Sequence, residues 1–250
     1  MKKVKKESVI GILVVIVIVV LIAWLYVHEK NKDNRELAKR IVALSSTGGP
    51  PETIEGLREA IALYENQIKR NVQEGAQTGV YWKILAIRLA DRGMHRDALD
   101  AYERALYYNT DDPTLFFLVG ESASVVSASV LGFQMNSAEE KERFANLAET
   151  AYLRALQLDP SYQKPRFALG LLYTFDLGRP ADAVPLLERF LQISPGSIEA
   201  MFVLARAYFM TGNYNSSMEV YDRIINRTKD QSVKNEAQNN KEIIRNLMYE

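Results

Sequence analysis

The longest apolar segment of the chain runs from Ser8 to Val27 without a charged residue. A helix of this length spans roughly 30 Å, which is the thickness of the hydrocarbon core of a bilayer. Four of the seven residues before it are lysines, and such a basic flank stays in the cytoplasm. The pattern predicts a cytoplasmic basic tail at residues 1–7, an uncleaved transmembrane anchor at 8–27, and an exported remainder.

A cleaved signal peptide is the competing interpretation of this segment. The apolar run is longer than the 7–15 residues usual in signal peptides. No small-x-small cleavage pattern follows it, because Ala23 is flanked by Ile22 and Trp24. An anchor is therefore favoured over cleavage.

After this segment the spacing of small, aromatic and apolar residues repeats along the chain. Two patterns recur in each of four segments. The first consists of small and large apolar residues, and the second, which follows it, has the spacing Ala-x3-Tyr-x2-Ala. The second pattern is carried by Ala98, Tyr102 and Ala105; by Ala148, Tyr152 and Ala155; by Ala183, Leu187 and Phe190; and by Ser217, Tyr221 and Ile224. The first is carried by Trp82, Leu85, Ala86, Leu89 and Gly93; by Phe116, Val119, Gly120 and Ala123; by Leu169, Gly170, Tyr173 and Gly178; and by Met201, Leu204, Ala205, Tyr208 and Gly212.

These motifs, together with the endings "LQLDP" and "LQISP", resemble the tetratricopeptide repeat (TPR) family, whose unit of about 34 residues is a pair of antiparallel helices. The resemblance implies an all-α helical-hairpin solenoid preceded by the N-terminal transmembrane helix. Its four units, within residues 79–231, are 79–112, 113–162, 163–197 and 198–231. Small residues at the helix crossing let the two helices of a unit approach closely.

The flanks of the array also show helical patterns. Residues 28–78 are interpreted as a linker and a degenerate first hairpin, with helices at about 34–45 and 53–69. Residues 232–250 are predicted to form a C-terminal capping helix that covers the last apolar face.

The second unit is longer than the others, and its additional residues fall between its two helices. We expect the insertion to add about two turns to each helix, so that this hairpin extends beyond its neighbours. The apolar residues of the inserted stretch either pack within the hairpin or form a contact patch for a partner or the bilayer. These residues are Val125, Val126, Val130, Leu131 and Phe133.

Composition argues against chemistry and against nucleic-acid binding. Without residues 1–7 the chain has 27 basic and 30 acidic residues, a net charge of −3, whereas nucleic-acid binding needs a basic face. There is no cysteine, and the two histidines, His28 and His95, have no ligand or nucleophile beside them in the sequence. No phosphate-binding loop or hydrolase motif occurs. We expect no enzyme activity, no cofactor and no metal.

The resemblance places a binding groove on the first helices of the units, which line the inner face of such arrays. In the family the inward positions are the second, fifth, ninth, twelfth and thirteenth of each unit, and here they are mainly apolar and aromatic. The predicted protein-binding residues are Lys83, Ile87, Phe117, Glu121, Phe167, Leu171, Phe175, Phe202, Arg206, Phe209 and Met210. Lys83 is followed by Ile87, so the Lys–Asn carboxylate clamp of chaperone-binding TPR domains is absent. Some of these aromatic residues could instead face neighbouring hairpins as core.

Together these patterns favour a bacterial inner-membrane protein with its TPR domain in the periplasm. It would act as a scaffold or adaptor that binds a hydrophobic segment of a partner protein, assisting the assembly or quality control of a membrane or envelope complex. Two alternatives stay open: an organelle protein-import receptor with a cytosolic TPR domain, and a purely structural subunit of a larger complex.

Overall fold

The computed structural model describes residues 53–130 and 137–249, together with Leu21, Trp24, His28, Lys32 and Lys39. The chain divides into two compact units, Met1–Glu74 and Gly75–Glu250. Every element in the two described ranges is an α-helix, as predicted. The predicted anchor at 8–27 and the predicted helix at 34–45 lie outside the described residues, apart from single positions. Within the described part of the chain, no helix combines the length and apolar character needed to cross a membrane.

Nine helices occupy the two described ranges, and they alternate along the chain with short turns. In chain order they are α1 (Ile54–Asp91), α2 (His95–Tyr108), α3 (Pro113–Ser129), α4 (Ser137–Leu158), α5 (Gln163–Phe175), α6 (Pro180–Ile193), α7 (Ile198–Met210), α8 (Tyr214–Arg227) and α9 (Gln231–Tyr249).

The helices of the second unit stack in sequence. Helices α3 and α4, α5 and α6, and α7 and α8 form antiparallel hairpins, and α9 packs on α8. The first helices of consecutive hairpins also contact one another, α3 with α5 and α5 with α7. We call the side of the array formed by these first helices the inner face. Contacts are made mainly between neighbours in sequence, so each hairpin relies on the next to bury its apolar side.

Glycines end the first helix of three hairpins. Gly93, Gly178 and Gly212 have φ angles of +77°, +61° and +76°, which side chains with a Cβ rarely adopt. A glycine in this conformation just after a helix lets the chain reverse and satisfies the last carbonyl groups. In the first of these turns the amide of Gly93 donates to the carbonyl of Ala90, and the amide of Met94 donates to that of Leu89.

Small residues mark the places where the two helices of a hairpin cross, as the sequence predicted. A Cβ added to Gly120 would lie 2.5 Å from Cδ1 of the Tyr152 ring, and one added to Gly170 would lie 2.7 Å from Cδ2 of Leu187. Both distances are too short for real contacts. Ala86 and Ala205 occupy the equivalent places in the first and fourth hairpins and are fully buried.

The fourth hairpin has a serine where the others have alanine, and the structure shows how this polar group is accommodated. Ser217 is fully buried in α8, and its hydroxyl donates a 2.7 Å hydrogen bond to the carbonyl of Ala205 on α7. A buried hydroxyl without a partner would be destabilising. The bond therefore satisfies the buried hydroxyl and joins α7 to α8 where they cross.

The insertion in the second hairpin lengthens its helices unequally. Helix α4 has 22 residues and α3 has 17, compared with 14 and 13 in the two hairpins that follow. The addition is about two turns in α4 but only about one in α3, where the sequence predicts two. The start of α4 is tied to its surroundings, since the Ser127 hydroxyl donates 2.9 Å to the Lys141 carbonyl and Arg96 bridges Glu140 at 2.8 Å.

Helix α1 differs from the predicted layout. The sequence suggests one helix ending near residue 69 and another starting at 79, but a single helix of 38 residues covers both. Residues 70–78 contain no proline, so the backbone hydrogen bonds continue through them. Gly75 is the weakest helix former in this stretch, and a Cβ there would meet the Tyr108 ring at an ordinary 3.6 Å.

Candidate protein-binding face

The predicted groove residues lie on neighbouring first helices. Phe117 and Glu121 belong to α3; Phe167, Leu171 and Phe175 belong to α5; and Phe202, Arg206, Phe209 and Met210 belong to α7. Because α3 contacts α5 and α5 contacts α7, equivalent positions follow one another across the array. Lys83 and Ile87 lie on α1, one hairpin earlier.

Four of the predicted phenylalanines pack against other rings of the array. Phe117 is buried, with its ring centroid 5.4 Å from that of Tyr162 and 6.0 Å from that of Tyr152. The other three are partly buried, and their ring pairs are Phe167 with Phe190 at 5.2 Å, Phe202 with Tyr221 at 6.0 Å, and Phe209 with Tyr214 at 5.7 Å. These ring pairs join the two helices of each hairpin, and the roles of the phenylalanines in binding stay predictions.

Other apolar side chains on the first helices remain open to solvent. Val125 on α3, Phe175 on α5 and Met210 on α7 are 44%, 54% and 42% exposed. All three stand at the thirteenth position of their units, near the end of each first helix, and we call them the apolar row. Of the three, Phe175 and Met210 are among the predicted binding residues, and Val125 is assigned to the insertion. Leu171, which lies between Phe167 and Phe175 in the sequence, is half-buried.

Lys83 has a structural partner. Its Nζ lies 2.6 Å from Oδ2 of Asp112, the residue that caps α3. Oδ1 of Asp112 accepts from the amides of Thr114 and Leu115 at 2.9 and 3.1 Å. Burial raises the pKa of the Asp112 carboxyl, but the bonds from Lys83 and the two amides outweigh it and hold the pKa below its usual value. The tie therefore stabilises the fold above the unfolded pKa of this group and is lost as the pH falls through its lowered folded value.

Two cations on the first helices lie near aromatic rings. The guanidinium of Arg206 lies 5.3 Å from the centre of the Phe209 ring, and Nζ of Lys164 lies 5.8 Å from that of Phe117. Surrounding protein atoms raise the pKa of the Glu121 carboxyl by desolvation, and the charge of Lys164 acts in the opposite direction. The inner face thus combines exposed apolar residues with a few charges of both signs.

Consecutive hairpins are also tied by tyrosine–carboxylate contacts that sequence reasoning did not identify. The hydroxyl of Tyr173 on α5 donates 2.7 Å to Glu149 on α4, and Arg179 donates 2.8 Å to the same oxygen. Burial first, and then the bond to Glu149, raise the pKa of Tyr173 to about 12. Tyr208 on α7 donates to Glu188 on α6 in a similar way. These contacts restrict how adjacent hairpins rotate, which fixes the spacing along the apolar row.

Two cavities of the second unit lie between second helices of consecutive hairpins, and each is also bordered by a first helix, through Val119 of α3 and through Leu204 and Tyr208 of α7. One of about 570 Å³ separates α2 from α4 and is lined by Leu99, Leu106, Phe144 and Leu147, with Arg96 and Arg143 over the Phe144 ring. Another of about 550 Å³ is bordered by Glu188, Gln192, Glu219 and Arg223 and is largely polar. The sequence pattern did not predict either cavity, because both depend on how far apart the second helices stand.

Candidate chemistry is sparse in the described residues. They contain no group of three histidine, cysteine or acidic side chains that could hold a metal ion. His95 is the first residue of α2, with Nδ1 at 3.4 Å from the hydroxyl of Ser122. This contact joins the start of α2 to α3 of the next hairpin.

Comparison with known proteins identifies the repeats. Two tetratricopeptide repeat family models match residues 137–198 and 174–235. A TPR repeat-containing protein of Borreliella burgdorferi is 22% identical over 196 residues, which cover 78% of this chain and 83% of that protein. The chain therefore contains tetratricopeptide repeats, as the sequence motifs indicated.

Solved structures show the same fold. YrrB, a TPR protein with an unusual peptide-binding site, superposes with a TM-score of 0.57 at 15% identity over 72% of this chain and 83% of YrrB. MamA from Desulfovibrio magneticus RS-1 gives 0.52 at 14% identity over 69% of this chain and 96% of that one. A thermophilic TPR protein of Thermus thermophilus gives 0.51 at 17% identity over 82% and 97%. The predicted TPR solenoid is confirmed as the fold of the array.

Proposed function

We propose that this TPR-containing chain is a membrane-anchored scaffold or adaptor that binds a partner protein through the inner face of its array. It assists the assembly or quality control of a membrane or envelope complex and has no catalytic role. The observation that carries the proposal is the apolar row, in which Val125, Phe175 and Met210 stay exposed at equivalent ends of successive first helices.

An exposed row of this kind fits an apolar segment of a protein. Burial of apolar surface drives protein association, and large side chains at the centre of an interface supply most of its energy. The row is accompanied by the exposed cation of Arg206 and the carboxylate of Glu121, which can set the direction of a bound segment. The peptide-binding site of YrrB, a protein with the same fold, supports binding of a peptide segment by such an array.

The binding test uses photo-crosslinking in cells that express the full chain. A photoreactive residue in place of Arg206 on the inner face is expected to give a discrete adduct with a partner protein. Adding Phe175→Ala and Met210→Ala should lower the adduct yield by more than tenfold, because each hot-spot truncation costs about 2 kcal/mol of binding energy. Adduct yield is read by immunoblot against the chain.

Matched controls separate binding from stability. Leu153→Ala truncates an equally exposed leucine on α4, a second helix, and is expected to leave the adduct unchanged. In both sets of variants the free energy of unfolding should stay within about 0.5 kcal/mol of that of the parent, as is usual for exposed positions. An adduct that survives loss of Phe175 and Met210, or that forms equally from Arg189 on α6, would contradict binding at the inner face.

The proposed anchor places the array in the periplasm with residues 1–7 in the cytoplasm, on the basis of the apolar run at 8–27 and its lysine flank. Protease added to spheroplasts is expected to digest residues 33–250 of the chain, and N-terminal sequencing should find the mature chain starting at Met1. Protection of the array, or a mature N-terminus after Ala23, would exclude this topology.

A further inference from the structure

The first half of α1 presents a line of exposed apolar side chains that the inner face does not include. Their exposed fractions lie between 40 and 65%. We call this line the α1 stripe, and its members are Ile54, Leu57, Ile61, Tyr64, Ile68 and Val72. All six belong to the unit that ends at Glu74. Six large apolar residues on one side of a helix are more than the scattered exposure normal for a soluble surface.

The spacing of the stripe is that of a coiled coil. From Ile54 to Ile68 the intervals are three, four, three and four residues, so isoleucines take the a positions and Leu57 and Tyr64 take the d positions of a heptad. This period of 3.5 residues keeps one seam facing a second helix over its full length. A face that merely rested on a globular core would carry a wider apolar sector.

The stripe is distinct from the least exposed side of the first half of α1. Ala60 is buried, and Gly56, Leu63 and Gln67 are partly buried, at spacings of four, three and four residues. On a helix with about 100° per residue these positions lie roughly 120° around the axis from the centre of the stripe. The stripe therefore lies apart from the least exposed side of α1, and its apolar groups are open to solvent.

We propose that the α1 stripe is a self-association surface, on which α1 of a second copy of this chain packs in antiparallel orientation. In this pairing Ile61 faces the partner's Tyr64, and Leu57 faces the partner's Ile68, each twice by symmetry. Val72 stands at an e position and closes the seam over the partner's Ile54. An isologous two-fold pairing of this kind closes on itself as a dimer.

The charges beside the stripe favour pairing of two copies in antiparallel orientation. In the antiparallel pairing the e position of one helix lies beside the e position of the other, which brings Arg58 next to the partner's Glu65 at both ends of the seam. In a parallel pairing Arg58 would face Thr53 and Glu65 would face Ala60, and no ion pair would form. Among the described residues neither Arg58 nor Glu65 has an ion-pair partner within the chain.

The first test uses disulfide formation. Introduced cysteines can pair only with each other, because the natural chain has no cysteine. The full chain carrying both Leu57→Cys and Ile68→Cys, oxidised in intact cells, is expected to run as a covalent dimer on non-reducing gels. Each single variant should stay monomeric, since residue 57 meets residue 68 and not itself. The control pair, Glu55→Cys with Asn66→Cys, has the same separation on the opposite side of α1 and should not link.

The second test reverses charge. Arg58→Glu places like charges beside each other at both ends of the seam and should weaken self-association roughly tenfold, as read from the yield of the linked dimer. Adding Glu65→Arg restores opposite charges and should restore the yield. The control variant Arg88→Glu, on the distant part of α1, should leave the yield unchanged.

Three outcomes would overturn the proposal. The double cysteine variant could fail to link, which would mean that a segment of the same chain or another molecule covers the stripe. The single Leu57→Cys variant could link to itself, which would show a parallel pairing. Rescue by the charge exchange could fail while linking persists, which would show that Arg58 and Glu65 do not meet. None of these outcomes depends on binding at the inner face.

Discussion

Replacing Tyr152 with alanine is expected to lower the free energy of unfolding by about 3–5 kcal/mol, the range for removing a large buried ring from a core. Tyr152 is 2% exposed and fills the crossing of α3 and α4. Its ring lies against Gly120, its centroid is 6.0 Å from that of Phe117, and its hydroxyl is 3.2 Å from that of Ser124. Urea denaturation followed by far-UV circular dichroism measures the loss.

Tyr107→Ala is the matched control. Tyr107 also belongs to a second helix, α2, but its side chain is 81% exposed, so its removal should change stability by no more than about 0.5 kcal/mol. Similar losses for the two variants would mean that Tyr152 does not fill the crossing. Since each hairpin is stabilised mainly by its neighbours, the Tyr152 variant should also lose protection from hydrogen exchange in the adjacent hairpins.

Gly120→Ala and Gly75→Ala are expected to change stability in opposite directions. A methyl group at Gly120 would overlap the ring of Tyr152, and such overpacking costs about 1–3 kcal/mol. At Gly75, inside α1, the methyl group meets Tyr108 at an ordinary 3.6 Å, and alanine should stabilise the helix by about 0.5–1 kcal/mol. The same denaturation measurement compares both variants with the parent chain.

A double variant tests why Gly120→Ala is destabilising. If the Tyr152 ring is what excludes a methyl group from Gly120, then Gly120→Ala should cost far less in the Tyr152→Ala background. Additive losses would show instead that the backbone of α3, and not the ring, limits this position. Residues in contact normally couple, so a clear interaction energy is expected here.

The sequence motifs predicted the helices of the array well because their cause is local. Gly93, Gly178 and Gly212 align as recurring residues, and each adopts the positive φ that ends a helix. Ala86, Gly120, Gly170 and Ala205 are assigned to helix crossings by the repeat, and all four are buried there. These positions depend on backbone geometry and on the width of one helix crossing, which recurs in every unit.

The binding roles of the candidate residues stay predictions, because periodicity does not distinguish a ring that faces a groove from one that packs on the second helix of its own hairpin. Phe117, Phe167, Phe202 and Phe209 share inward positions with Phe175, yet the first four pack against other rings of the array. The choice depends on which large side chain follows on the second helix. Lys83 likewise has a partner in Asp112, 29 residues away.

The repeat and the places where helices cross could be predicted from the sequence alone, since these follow from spacings of three and four residues and from small side chains. Which apolar groups remain exposed depends on the tertiary structure. Phe175 and Met210 lie open on the inner face, and Ile61 and Ile68 lie open on α1, although nothing in their own sequence separates them from buried residues. The physical reason is that burial depends on the neighbouring helix, and the distance and rotation of that neighbour are set by contacts far away in sequence, such as Tyr173 with Glu149.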